Sequence, residues 1–201
     1  MQILIEELYK SLIGNNDLTL VDLGVGTGTF LLPILQKLSV GEVVCFDATP
    51  KMLELLQEKF SDKLYAVSKV HYIIGDMEQV SRSLEVNQSL RKIIMPEKYD
   101  RIMSTLAFHH IRDTSMVLKG ISEILNPQGK AVIIDAILSE TSGMVPSPDH
   151  AHDGFEIDKL KNLSEKYFKS VSIRELDVTC NDSNCPSRGT GLFILELAYP
   201  L

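Results

Sequence analysis

The sequence predicts an α/β fold in which strands of a parallel sheet alternate with helices. Aliphatic runs at 18–23, 42–46, 70–74, 99–104 and 131–137 are separated by stretches with helical apolar spacing. One strand-to-helix join, Val21-Asp22-Leu23-Gly24-Val25-Gly26-Thr27-Gly28-Thr29, is a glycine-rich turn. The chain has 201 residues, 44% hydrophobic and 23% charged, which suits one domain over 1–201 with a full core.

The elements follow in order. Residues 1–17 hold one short helix through Ile3, Leu4, Leu8 and Leu12. Leu18, Leu20, Val21 and Leu23 form the first strand, and Phe30, Leu31, Leu32, Ile34, Leu35 and Leu38 mark the helix after the turn. Glycines there let the backbone approach a ligand closely, and the helix N-terminus adds free N–H groups. Their spacing is G-x-G-x-G, with Thr29 where a dinucleotide fingerprint has its third glycine. No Gly-Lys-Ser/Thr follows, so a P-loop is not supported. Asp22, two residues before Gly24, repels a pyrophosphate and attracts a cation or an ammonium group. The turn therefore suits a positively charged nucleoside.

The second strand, Glu42 to Phe46, ends in Asp47, about 20 residues past the turn and placed for ribose hydroxyls. Thr49 N-caps a helix that begins at Pro50 and continues through Met52, Leu53, Leu55, Leu56 and Phe60. Val70 to Ile74 is the third strand, ending Gly75-Asp76-Met77, and Tyr99 to Ser104 is the fourth, followed by Thr105-Leu106-Ala107-Phe108-His109-His110. A helix from Ser115 to Leu125 stops at Asn126-Pro127-Gln128-Gly129. Ala131 to Ile137 is the fifth strand, apolar except for Asp135. A polar loop at 139–154, a helix from Phe155 to Phe168 and two β runs, Val171 to Thr179 and Gly191 to Ala198, complete the chain.

On these motifs the chain resembles the class I S-adenosylmethionine-dependent methyltransferases, and more narrowly the small-molecule type related to quinone-biosynthesis methyltransferases. The resemblance covers roughly residues 18–138 and rests on 21–28, Phe46-Asp47-Ala48-Thr49-Pro50-Lys51-Met52, Gly75-Asp76-Met77, Tyr99–Ser104 with His109-His110, and Leu125–Gly129. It implies a Rossmann-like, seven-stranded, mostly parallel sheet with helices on both faces and a C-terminal antiparallel hairpin. It implies S-adenosyl-L-methionine as cofactor, with Asp22, Gly24, Gly26 and Gly28 on the methionine end, Asp47 on the ribose, and Asp76 with Met77 flanking the adenine. Ala48 and Met52 follow the ribose carboxylate in the same motif, and Thr105 and Leu106 line the cofactor near its methyl. For Met52 and Met77, core packing competes with adenine packing.

Two departures stand out. Relatives place more helices before the glycine turn to cover the substrate, and the 78–98 segment is longer than the expected loop. Val80, Leu84, Leu90, Ile93 and Ile94 suit an inserted helix there, either a substitute lid or a surface helix filling a groove. An exposed substrate, or a homodimer or partner chain completing the lid, fits the same observation.

Methyl transfer needs a general base only where the acceptor must ionise. His109 and His110 are the catalytic candidates, against a reading in which one of them packs within its loop. Asp-His-Ala-His-Asp at 149–153 contains metal-ligand residue types but matches no metal motif, so a solvated loop and no metal is expected. Cys180 and Cys185 read as free turn thiols and Cys45 as a core residue. A net charge of −7 gives no basic footprint for nucleic acid. No apolar run approaches the roughly 18 residues of a membrane span. The N-terminus reads as neither signal nor transit peptide, and the expected location is cytoplasmic. The leading function is methyl transfer to a small molecule. The alternatives are a protein or RNA methyltransferase with an open site and a non-catalytic binder. Ser104-Thr105-Leu106-Ala107 replaces the Asn/Asp-Pro-Pro-Tyr expected for transfer to a planar amide or exocyclic nitrogen.

Overall fold

Strands buried on both faces need apolar side chains at nearly every position, and the central runs of this chain supply them. The computed structural model describes residues 1–14, 17–61, 65–138, 151, 153–179 and 191–201. The strands are β1 (Leu18–Leu23), β2 (Val40–Asp47), β3 (Lys69–Ile74), β4 (Tyr99–Thr105), β5 (Leu125–Ala136), β6 (Phe168–Thr179) and β7 (Gly191–Pro200). The helices are α1 (Gln2–Leu12), α2 (Leu31–Leu35), α3 (Pro50–Ser61), α4 (Val80–Arg91), α5 (Thr114–Ile124) and α6 (Ile157–Ser164), with 3₁₀ turns at Met77–Gln79 and Phe108–His110. The strands form one seven-stranded sheet in the order β3-β2-β1-β4-β5-β7-β6. β1 to β5 pair in parallel, and β7 runs antiparallel between β5 and β6.

Strand periodicity sorts the core into two layers. Val21 and Leu23, Val44 and Phe46, and Ala131 and Ile133 face α4, α5 and α6. Leu20, Val43 and Cys45, and Val132 and Ile134 face α1, α2 and α3. α1 buries Leu4, Leu8 and Leu12, and its C-terminal carbonyls are capped from β4. The Arg101 guanidinium donates to Leu12 O at 2.8 Å and to Ile13 O at 3.1 Å.

Several boundaries differ from the sequence reading. The helix after the glycine turn covers only 31–35, because the Lys37 and Leu38 amides both close onto Ile34 O and the chain then enters β2. The Asn126-Pro127-Gln128-Gly129 stretch follows closely on α5, which ends at Ile124. It forms the irregular start of β5, where the ladder with β4 shifts register between Tyr99 and Arg101. The C-terminal helix is confined to 157–164. Phe155 bridges Ile137 in parallel, and Phe168 pairs with Pro200 in β6, so tertiary pairing overrides the helical spacing at both ends.

The 78–98 segment is the crossover from edge strand β3, past β2 and β1, to β4. Its helix α4 buries Val80 and Leu84, and the left-handed Lys92 ends it before Ile93. Leu90 and Ile94 are 78% and 85% exposed, so they do not belong to its apolar face. α4 also reaches over the sheet edge. Arg91 Nη1 donates to Tyr72 O at 2.7 Å, and Asn87 Nδ2 donates to Ile74 O at 3.2 Å. The Asp-His-Ala-His-Asp stretch, save Ala151 and Asp153, and the Cys180–Gly189 connection fall outside the described residues.

Candidate active site

At the carboxyl ends of β1 and β2 the glycine turn folds back on the neighbouring strand. The Gly24 and Val25 amides donate to Phe46 O at 2.9 and 3.0 Å. Gly24, Gly26 and Gly28 all have positive φ, which L side chains rarely adopt. Two of them play different parts. A Cβ on Gly28 would stand 2.4 Å from Leu56 Cδ1, so Gly28 serves helix packing. A Cβ on Gly26 would meet nothing within 4 Å. Gly26 faces open space, and that space is a cleft of about 520 Å³, a size usual for small-molecule sites.

Gly24 and Gly26 form one wall of the cleft. The end of β2 adds Phe46 and Asp47, then Ala48, Thr49 and Met52. Gly75 and Met77 follow from β3, and Leu106, Ala107 and His110 from the segment after β4. Residues 78–98 contribute nothing to this lining. A larger groove of about 770 Å³ beside α4 contains Leu84 and Ile93 of the 78–98 segment but none of the residues read as cofactor-binding or catalytic.

The acidic residues differ sharply. Asp47 Oδ2 accepts from Gly26 N at 2.8 Å and Oδ1 from Thr49 N at 2.8 Å. This carboxylate shapes the glycine turn while lining the cleft. Asp22 is 3% exposed, and no hydrogen bond reaches its carboxylate among the described residues. Burial, and then the nearby Asp47 charge, push its carboxyl up to about 8. An unpaired buried carboxylate is costly unless a cation or donor meets it. Asp76 lies exposed beside the cleft, and its Oδ1 accepts from Glu78 N at 2.9 Å, capping the 3₁₀ turn. Met77 alone of that pair lines the cleft. Thr105, which precedes Leu106 in the chain, is buried, and its hydroxyl has no hydrogen-bond partner among the described residues.

The two histidines separate. His110 is exposed and lines the cleft. The His109 side chain is 12% exposed, and its Nδ1 bonds Asp135 Oδ1 at 2.9 Å. Asp135, fully buried, also accepts from Phe108 N at 2.8 Å, His109 N at 3.3 Å and Ala136 N at 2.7 Å. The rings of His109 and His110 lie 4.2 Å apart, centroid to centroid. Ala151 N donates to His109 O at 3.0 Å, which brings the chain after β5 back to this turn. Sequence reasoning assigned Asp135 no role, though a lone carboxylate in an apolar strand was the signal. It also left Phe46 and Ala107 unassigned as lining, and read Thr49 only as a cap. Among the described residues there is no cluster of three or more potential metal ligands, and no helix long and apolar enough to cross a membrane.

Comparison with known proteins places this geometry. Residues 21–131, more than half of the chain, match the family model described as a methyltransferase domain. A malonyl-[acyl-carrier protein] O-methyltransferase of Ilyobacter polytropus is 22% identical over 164 residues, 78% of this chain and 54% of that protein. Among solved structures, phosphoethanolamine N-methyltransferase 2 of Haemonchus contortus, in complex with phosphomonomethylethanolamine and S-adenosylhomocysteine, superposes with a TM-score of 0.73 at 13% identity. That match covers 100% of this chain and 53% of the worm protein. The YcgJ protein of Bacillus subtilis gives a TM-score of 0.72 at 14% identity, covering 98% of this chain and 99% of its own. The chain thus spans about half the length of the first two relatives. With the family model spanning β1 to the middle of β5, the chain belongs to the methyltransferase-domain family.

Proposed function

We propose that the chain transfers a methyl group from S-adenosyl-L-methionine to a small-molecule acceptor, with the cofactor in the 520 Å³ cleft. The observation that carries this reading is Asp22, a buried carboxylate that no hydrogen bond reaches among the described residues, beside a glycine turn whose Gly26 leaves room for a ligand. Bound there, the cofactor supplies an already electrophilic methyl on a sulfonium. The residues fit it. Asp22 with the turn of Gly24, Gly26 and Gly28 meets the methionine ammonium, and Asp47 keeps lone pairs for the ribose hydroxyls. Met52 and Met77 pack the adenine with Ala48 beside them, and Leu106 borders the methyl end with Thr105 behind it. Asp76 acts by capping the Met77 turn. His110 faces the acceptor end, with His109 beside it. Holding the acceptor in line, about 3 Å from the methyl carbon, is worth ~7–11 kcal/mol.

The acidic net charge of −7 favours a small molecule over RNA. A cytoplasmic setting fits the free, buried Cys45 thiol. A second copy or partner chain closing the cleft would cover Met52, which stands 39% exposed at its edge. The test is transfer of label from methyl-radiolabelled S-adenosylmethionine into a cell extract, fractionated into small molecules, protein and RNA. Label in the small-molecule fraction is expected. Label confined to protein or RNA overturns the acceptor class. Binding of S-adenosylhomocysteine with no label in any fraction overturns catalysis.

A further inference from the structure

β5 is buried and apolar along its upper half except at Asp135. The donors that meet this carboxylate exceed what its place in the strand requires. Two amides, Phe108 N and His109 N, would suffice to cap the 3₁₀ turn after β4. The bond to the His109 ring is additional. A carboxylate only accepts, so His109 Nδ1 is the donor and the ring is fixed as one tautomer and one orientation. Such a charge-assisted bond is stronger than a neutral one. The fixed ring lies against His110, which lines the cleft. Between β4 and this turn stands Leu106, left-handed at φ +54° and part of the same lining. A leucine there is strained, and strain persists only where the surroundings hold it. The Leu106 N to Ile134 O bond holds one end of the segment, and Asp135 holds the other.

We propose that Asp135 is a positioning residue for methyl transfer: through the His109 ring it fixes where the His110 imidazole stands at the acceptor end of the cleft. This rests on the reading that the cleft is the methyl-transfer site. The acceptor is then one whose nucleophilic atom carries an ionisable proton. As that atom's lone pair bonds the methyl carbon, the carbon–sulfur pair stays with sulfur, and the acceptor's proton passes to a ring nitrogen of His110.

The test compares wild type with Asp135→Asn, His109→Asn and the double variant, all labelled with ¹⁵N-histidine. His109→Asn keeps an N–H donor for Asp135 and removes the ring, so the turn stays capped. In wild type, ¹⁵N imidazole spectra should show His109 as the Nδ1–H tautomer and a shift of the His110 resonances on adding S-adenosylhomocysteine. Both single variants should displace the His110 resonances and weaken that response, while S-adenosylhomocysteine affinity stays within about threefold. Label transfer into the small-molecule fraction should fall about tenfold or more in each single variant, and the double should be no slower than the slower single. A His109→Asn protein with wild-type His110 resonances overturns the inference, as do losses that multiply in the double. If wild type itself transfers no label, the functional reading fails, and the His110 resonances decide the positioning role alone.

Discussion

Asp22 on β1 and Asp135 on β5, one strand apart across β4, are 3% and 0% exposed and yet opposite in kind. Asp135 is met by two backbone amides and an imidazole from the turn after β4 and by the amide of its own neighbour Ala136. Asp22 is met by no hydrogen bond among the described residues and is pushed up in pKa by burial. A saturated carboxylate is part of the scaffold, since its donors depend on it as much as it depends on them. A bare one is a cost that the fold carries for a partner outside the chain. Asp47 lies between the two, anchored by two amides while still lining the cleft.

The contrast is sharpest in stability. Asp135→Ala leaves buried donors without an acceptor and should cost about 3–5 kcal/mol in urea unfolding. Asp22→Asn should leave stability unchanged or raise it at pH 9, where the native carboxylate is charged and unpaired. Equal losses in the two variants would break the contrast. In binding the order reverses. Asp22→Asn should weaken S-adenosylhomocysteine binding about a hundredfold, or about 2.7 kcal/mol, by calorimetric titration. An unchanged dissociation constant would remove Asp22 from the site.

The pH dependence sharpens it further. Asp22's folded pKa, about 8, lies above its ordinary 3.8. The unfolded chain therefore releases this proton first. Its contribution to stability is full below about pH 4 and is lost as pH rises toward 8, with a slope of up to about 1.4 kcal/mol per pH unit. Unfolding titrations should show that slope in wild type without ligand and lack it in Asp22→Asn. The smallest expected effect belongs to Asp47→Ala, at least about tenfold in S-adenosylhomocysteine affinity, or about 1.4 kcal/mol, for the lost charge-assisted bonds. An unaltered affinity there would sink the ribose assignment.

What was legible in the sequence was whatever depends on local pattern. Aliphatic runs located β1 to β4 within two residues at each end and the second half of β5, whose start at Leu125 they missed, and the turn at Gly24–Gly28 located the cleft. What was not legible depends on chain segments far apart. Phe155 and Phe168 carry helical spacing, but their strand partners, Ile137 and Pro200, decide their conformation. The role of Asp135 is set by donors at 108 and 109, which reach it because β4 and β5 are adjacent in the sheet. Asp76 was read beside the adenine, and its further task, accepting the amide two residues on, depends on the turn that begins there. No local pattern reveals that Asp22 lacks a hydrogen-bond partner among the described residues, because that is a property of everything packed around it.

The capping of β3 by α4 bears on how copies of the chain meet one another. The outer strand of an open sheet offers a row of acceptors that another chain can pair with, and unprotected edges seed stacking into fibrils. Here the Tyr72 and Ile74 carbonyls are already engaged by Arg91 and Asn87. A second sheet docking on that flank would first have to displace a guanidinium and an amide. In concentrated solution β3 is thus a poor template for growth, and the crossover helix doubles as the guard of its own sheet's margin.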